Sequence, residues 1–112
     1  MDLRSRSEDN LQVVSVRENR IDAAVAIEFK DAMRAATDGG SETVVLDLGS
    51  VQFIDSSGLG AIVASMKHMG QSRKLALAGL TPTVEKVFRL TRMDSVFSVF
   101  STLDGALEDL KS

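Results

Sequence analysis

A chain of 112 residues, of which 44% are apolar and 26% charged, has the size and composition of one globular domain with its own core. The net charge of −3 argues against a nucleic-acid-binding protein, which would carry a basic patch, and the absence of cysteine excludes disulfides and thiolate metal sites. No apolar run approaches the roughly 18 residues of a membrane span, so the cytoplasm is the expected location.

The N-terminal part of the chain predicts a strand and a helix after a polar start. Residues 1–10 mix charges without apolar periodicity, which predicts a flexible tail, and residues 11–112 are expected to form the domain. Residues 11–16 are rich in β-branched side chains and predict a strand, which we expect to pair antiparallel with a short strand near residues 20–21. Asp22 is the predicted N-cap of the helix that follows. The apolar face of this helix consists of Val25, Phe29 and Met33.

The middle of the chain again predicts a strand followed by a helix, from clearer apolar patterns. Residues 44–48 form a nearly continuous apolar run, which is typical of a strand covered on both faces. A helix is predicted from about Ser57 to Met69, with Gly70 as its C-terminal stop. Residues 75–78 then predict another short strand.

The C-terminal part predicts two more helices and a last strand. Thr81 as N-cap and Pro82 at the first helical position open one helix. Residues 96–100 give the strand, and Ser101 or Thr102 caps the final helix. Because strands alternate with helices, the sequence predicts a single α/β domain with a mixed, mostly parallel sheet of four to five strands and about four helices.

The most informative segment links the central strand region to the central helix and reads Asp55-Ser56-Ser57-Gly58-Leu59-Gly60, called here the 55–60 motif. It places two hydroxyl groups at a helix N-terminus, where free backbone N–H groups and the helix dipole favour an anion. One interpretation is that a serine only caps the helix, which is the commoner role of serine there. The other is that a serine is a phosphoacceptor or part of a phosphate site. The local chemistry does not decide between them.

Other chemistries find little support in the sequence. Gly58 and Gly60 lack the third glycine of a dinucleotide-binding loop, and no P-loop pattern is present. His68 is the single histidine and is predicted to face solvent, so a hydrolase built on a serine would lack its base. Asp47 and Asp55 are too few for a metal site or for paired-carboxylate catalysis. The sequence therefore predicts no cofactor, no metal and no enzymatic activity.

The 55–60 motif and its flanks resemble the central motif of STAS domains, in particular those of bacterial anti-sigma factor antagonists. The resemblance covers roughly residues 10–112, nearly the whole chain. Besides the motif, the matching positions are residues 44–48, Val51, Phe53, Ile54, Ile21-Asp22-Ala23, residues 75–79, Val87-Phe88-Arg89-Leu90 and residues 97–100.

The resemblance implies a partner-switching cycle. The unphosphorylated protein would bind an anti-sigma factor that is itself a serine kinase of the histidine-kinase-like ATPase family, and thereby free a sigma factor. The kinase would then phosphorylate Ser56, and a PP2C-type phosphatase would reset the switch. No direct contact with nucleic acid is expected, and a monomer is expected with a dimer left open. The implied partner-binding residues are Asp22, Asp55, Ser56, Ser57, Gly58, Leu59 and Gly60.

The resemblance also implies roles for individual residues and leaves one alternative. Ser57 would cap the central helix, and Gly58 and Gly60 would keep the surface low for a close partner. Arg92 stands where the family often has a glycine, in the turn after the third helix. The alternative function is that of a STAS scaffold or accessory subunit in a stress-signalling assembly or a lipid-transport complex.

Overall fold

The computed structural model describes residues 1–111, which form an α/β domain. In chain order the strands and helices are β1 (Leu3–Glu8), β2 (Leu11–Val16), β3 (Arg20–Ile21), α1 (Ala26–Thr37), β4 (Thr43–Asp47), β5 (Phe53–Ile54), α2 (Ser56–Met69), β6 (Lys74–Ala78), α3 (Pro82–Leu90), a 3₁₀ turn (Met93–Ser95), β7 (Ser98–Phe100) and α4 (Leu103–Leu110). The predicted fold class is confirmed.

The described residues form a main sheet and a small second sheet. The main sheet has five strands in the order β1-β2-β4-β6-β7. Its β1 strand is antiparallel to β2, and the remaining neighbours are parallel. The β3 and β5 strands form a separate parallel ladder, in which Ile21 lies opposite Ile54. The main sheet is therefore mixed and mostly parallel, as predicted.

Helices cover both faces of the main sheet. Alternate residues of β2 point to opposite faces, so Val14 joins the larger apolar cluster and Val13 joins the smaller one. The larger cluster includes Phe29 of α1, Ile62 of α2 and Phe88 of α3. The smaller cluster lies under α4. Covering both faces explains why β4 reads as an unbroken apolar run.

The predicted flexible tail is wrong for residues 3–8. These residues form β1, which pairs with β2 from Leu3 opposite Val16 to Glu8 opposite Leu11. A two-residue loop joins the strands, and Asp9 in this loop has a φ of 57°. Asp tolerates this left-handed conformation, and tight hairpin turns require it. The strand lacks apolar alternation because it lies at the sheet edge and its side chains are mostly exposed.

The predicted antiparallel pairing of residues 11–16 with residues 20–21 is also wrong. The antiparallel partner of β2 is β1, and Arg20–Ile21 pairs in parallel with Phe53–Ile54. Two-residue strands carry no periodic signal, so their partner follows from the tertiary fold alone. This small ladder aligns the segment before α1 with the segment before α2.

Most predicted helix ends are close to those observed, with one clear error. Gly70 ends α2 with a φ of 85°, and the Thr102 hydroxyl caps α4 by accepting a hydrogen bond from Gly105. Asp22, however, does not cap α1, which begins at Ala26. Its carboxylate accepts a hydrogen bond from the N–H of Ala24 at 3.1 Å, a local Asx turn that delays the helix.

Candidate functional site

Asp55 caps the helix that carries the 55–60 motif. It lies at the N-cap of α2 with an extended backbone, and its Oδ1 accepts a hydrogen bond from the N–H of Gly58 at 2.8 Å. The prediction that Ser57 caps this helix is therefore wrong. Aspartate and serine are equally good N-caps, and the helix begins one residue earlier than predicted.

The same carboxylate joins the two segments that the small ladder aligns. Oδ2 of Asp55 accepts a hydrogen bond from the N–H of Ala23 at 3.1 Å. The backbone N–H of Asp55 donates to the carbonyl of Ile21 at 3.4 Å, which extends the ladder by one residue. Asp55 therefore fixes the start of α2 against the loop that precedes α1, and brings Asp22 and Asp55 to one edge of the domain.

These contacts favour the ionised form of Asp55. The hydrogen bond from the Gly58 N–H lowers the pKa of Asp55 most. The N–H groups of Ala23 and Ser57 lower it further, while partial burial opposes the shift. A carboxylate that accepts several N–H bonds at a helix N-terminus keeps its charge, because those donors stabilise the anion. The helix end is therefore already occupied by one negative charge.

The two serines of the motif lie on the surface beside this carboxylate. Ser56 is the first residue of α2 and is exposed, and Ser57 is exposed next to it. Asp22 and Leu59 are half-buried, and Gly60 is exposed with open space around its Cα. The fold thus brings Asp22 and the surface residues of the motif into one region, which the sequence alone could not show.

Gly58 has a different role from the one that we predicted. It is buried, and a Cβ at this position would overlap the carbonyl oxygen of Ile21. This oxygen belongs to the backbone and cannot move aside cheaply. Gly58 therefore allows α2 to approach β3 closely. Gly60 has open space around its Cα, and its place on a partner surface stays a prediction.

One neighbouring pair was missed by the sequence analysis. The guanidinium of Arg20 lies 5.4 Å from the ring centre of Phe53, and its Nη1 is 3.3 Å from Oδ2 of Asp22. The phenylalanine side chain is 43% exposed. The pairing depends on the register between β3 and β5, which places Arg20 opposite Phe53. The sequence around Phe53 gives no sign of this pairing.

The surroundings of Ser56 hold no evident catalytic partner. His68 is exposed, as predicted, and lies twelve residues along α2 from Ser56, about 18 Å at the helical rise. A groove of about 310 Å³ between α1 and α2 includes His68 but no residue of the motif. Over residues 1–111 there is no group of three acidic or histidine side chains that could hold a metal ion.

None of the helices in this range is long and apolar enough to cross a membrane.

Comparisons with known proteins agree on one family. The model of the STAS domain matches residues 3–106. BtrV of Bordetella bronchiseptica, named as a candidate anti-sigma factor antagonist, is 31% identical over 93 residues, which cover 82% of this chain and 80% of BtrV. The anti-sigma-F factor antagonist RsfB of Mycobacterium tuberculosis is 29% identical over 91 residues, with 81% and 75% coverage.

The three-dimensional comparison gives the same result. The crystal structure of an anti-sigma factor antagonist from Mycobacterium paratuberculosis matches with a TM-score of 0.88 at 27% identity, and the match covers 99% of this chain and 94% of that one. The matched region includes the edge strand β1, the small ladder and the 55–60 motif. The chain therefore belongs to the STAS domain family.

Proposed function

We propose that this protein is an anti-sigma factor antagonist that works as a phosphorylation-controlled partner switch. In its unphosphorylated form it binds an anti-sigma factor that is a serine kinase of the histidine-kinase-like ATPase family, and this binding frees the sigma factor. The names of its relatives support this role, since BtrV and RsfB are named for antagonism of anti-sigma factors. Because sigma factors act inside the bacterial cell, the proposal places the protein in the cytoplasm.

The position of Ser56 is the observation that carries the proposal. Ser56 is exposed at the first position of α2, directly after Asp55, whose carboxylate caps this helix. Because Asp55 already satisfies the N–H of Gly58, the Ser56 hydroxyl is not required to hold the helix end. The kinase can therefore transfer the γ-phosphoryl group of ATP to Oγ of Ser56 without removing a structural contact. A PP2C-type phosphatase then hydrolyses the phosphoserine.

The charge of the phosphate accounts for release of the partner. A phosphoserine adds about −1.5 to −2 charges at neutral pH. On this surface it directly follows the carboxylate of Asp55, and the helix end that would attract the phosphate already binds Asp55. Dehydrating a phosphate directly beside the Asp55 carboxylate within a packed interface is unfavourable. A coupling of about 3 kcal/mol would lower the affinity for the partner more than a hundredfold.

In this cycle the protein is the substrate of a kinase and a phosphatase, and is not itself an enzyme. The bonds at Ser56 are made and broken by groups of its partners. Gly58 is buried and lets α2 pack closely against β3. The residues implied for the partner surface are Asp22, Asp55, Ser56, Ser57, Leu59 and Gly60.

Phosphorylation by the cognate kinase tests this proposal. The purified protein is incubated with that anti-sigma factor and ATP, the site is mapped by mass spectrometry, and affinity is measured by calorimetry before and after the reaction. We expect phosphate on Ser56 and a more than hundredfold loss of affinity. Ser56→Ala should bind the anti-sigma factor and should not be released when ATP is added, whereas Ser57→Ala should still be phosphorylated on Ser56 and released. Phosphate on Ser57 alone, or equal affinity of both forms, would contradict the switch.

A further inference from the structure

We propose that the Arg20–Phe53 pair is a contact for the anti-sigma factor and helps to determine which partner is bound. The inference deepens the proposed function and rests on it. The expected counterpart is an apolar side chain on the partner, flanked by an aspartate or glutamate. The apolar side chain would contact the free surface of the Phe53 ring, and the carboxylate would pair with the guanidinium of Arg20.

The small ladder separates an inner face from an outer face. Ile21 and Ile54 point inward and are 0% and 3% exposed. Since side chains alternate along a strand, Arg20 and Phe53 point to the other side. Phe29, Phe88 and Phe97 are all buried, whereas the Phe53 side chain is 43% exposed. A large aromatic surface is thus left open to solvent at this edge of the domain.

A purely structural role explains only part of this arrangement. The stacked guanidinium shields part of the ring, and the pair strengthens a ladder of two residues per strand. An aliphatic residue would serve that purpose with less exposed apolar surface. Arginine and large aromatic residues are also the types that contribute most to protein interfaces, where both become desolvated.

The Arg20–Phe53 pair lies next to the proposed phosphorylation site, and this position indicates that the anti-sigma factor is the partner that contacts it. Arg20 and Phe53 lead directly into Asp22 and Asp55, and Ser56 follows three residues after Phe53. A protein that covers Ser56 at this edge therefore also reaches the outer face of the ladder. A nucleic acid would use an arginine and an aromatic ring as well, but its affinity comes mainly from many phosphate contacts with basic residues, and this chain has a net charge of −3.

The guanidinium sets the charge of the expected counterpart. Arg20 is held at one nitrogen by Asp22, and a guanidinium has five N–H donors arranged in a fork. Its side chain is 60% exposed, so its remaining surface is accessible to a second carboxylate. An acidic group on the partner would satisfy these donors, whereas a basic group would be repelled. The pair therefore selects by charge as well as by shape.

The experiment compares the affinities of matched variants for the cognate anti-sigma factor by calorimetry. Phe53→Ala removes the ring, and Arg20→Lys keeps the charge but loses the planar stacking group. We expect Phe53→Ala to weaken binding at least about 30-fold, which is typical of the loss of an interface hot spot. Arg20→Lys should weaken it by about 5-fold or more. Leu90→Ala, at a residue that is 71% exposed on α3, should bind within about twofold of the wild type.

Further measurements separate the possible outcomes. Circular dichroism and thermal unfolding establish that each variant is folded, and Phe53→Leu provides a second test if Phe53→Ala is unstable. If the wild type binds and releases on phosphorylation while the folded Phe53 variants bind equally well, this inference is wrong and the proposed function stands. If the wild type fails to bind, both are wrong. Self-association that Phe53→Ala abolishes, with unchanged affinity for the anti-sigma factor, would assign the surface to a second copy.

Discussion

Asp55 shows how one side chain can fix the geometry of a proposed modification site. Its two carboxylate oxygens accept N–H groups from α2 and from the loop before α1, so the residue before Ser56 is held from two directions. The sequence showed the motif and predicted that its serines lie at a helix N-terminus. It could not assign the cap, because aspartate and serine are comparable N-caps, nor the contact with Ala23, which arises only when β3 and β5 pair.

The pH dependence of stability tests the role of the Asp55 charge. Hydrogen bonds from N–H groups lower the pKa of Asp55 in the folded protein, below the ordinary value of about 3.9. The ionised carboxylate therefore stabilises the fold above that value, and this contribution is lost as the pH falls through the lower, folded-state pKa. Asp55→Asn keeps an N-cap oxygen but removes the charge and the acceptor for Ala23.

We expect Asp55→Asn to be less stable than the wild type at pH 7, with the difference shrinking towards pH 2. Urea unfolding of both proteins at several pH values measures this, and Asp104→Asn, an exposed first-turn residue of α4, is the control. The control should change stability little at any pH. A difference between wild type and Asp55→Asn that stays constant from pH 7 to pH 2 would contradict the assigned role.

At the scale of elements, the sequence predicted those that bury apolar side chains, missed β1 and β5, and assigned the wrong partner to β3. The apolar runs and periodicities were sufficient to predict β2, β4 and α2, because the apolar side chains that these elements bury form a recognisable pattern in the sequence. The polar strand β1 and the two-residue strands β3 and β5 have no such pattern. Their backbone groups are satisfied by neighbours that are distant in sequence or by a hairpin turn at Asp9.

The turn after α3 illustrates an element that keeps its shape despite an unfavourable residue. Arg92 has φ and ψ of 61° and 22°, the left-handed conformation for which glycine is usual after a helix. The departure from the family pattern therefore leaves a left-handed turn in place. A residue with a Cβ pays roughly 1–2 kcal/mol in this conformation, partly offset because glycine loses more entropy on folding.

We expect Arg92→Gly to raise the free energy of unfolding by about 0.5–1 kcal/mol, because it removes this strain from an exposed position. Arg89→Gly is the matched control, since the same change in the last turn of α3 should lower stability by about 1 kcal/mol. Urea unfolding at equal m-values measures both. A decrease in stability for Arg92→Gly would show that its side chain contributes more than the strain costs.

At the scale of the molecule, the proposed phosphorylation site lies at the surface, and the apolar clusters that stabilise the domain lie on the two faces of the main sheet. The central strands β2, β4 and β6 are covered on one face by the cluster with α1, α2 and α3, and on the other by the cluster with α4. Ser56 is exposed and belongs to neither cluster. A change of charge at this position can therefore alter what binds without altering how the domain is packed.

We accordingly expect phosphorylation of Ser56 to leave the fold intact while it abolishes binding of the anti-sigma factor. The free energy of unfolding should change by less than about 1 kcal/mol, because the weak attraction of the helix end for the phosphate is offset by repulsion from Asp55. Urea unfolding of both forms measures this, and hydrogen exchange of β2, β4 and β6 reports on the core. Ser56→Ala treated with the same kinase and ATP is the control. Loss of protection in the central strands upon phosphorylation would mean that the switch acts through unfolding, since a purely electrostatic change at the surface leaves those strands paired.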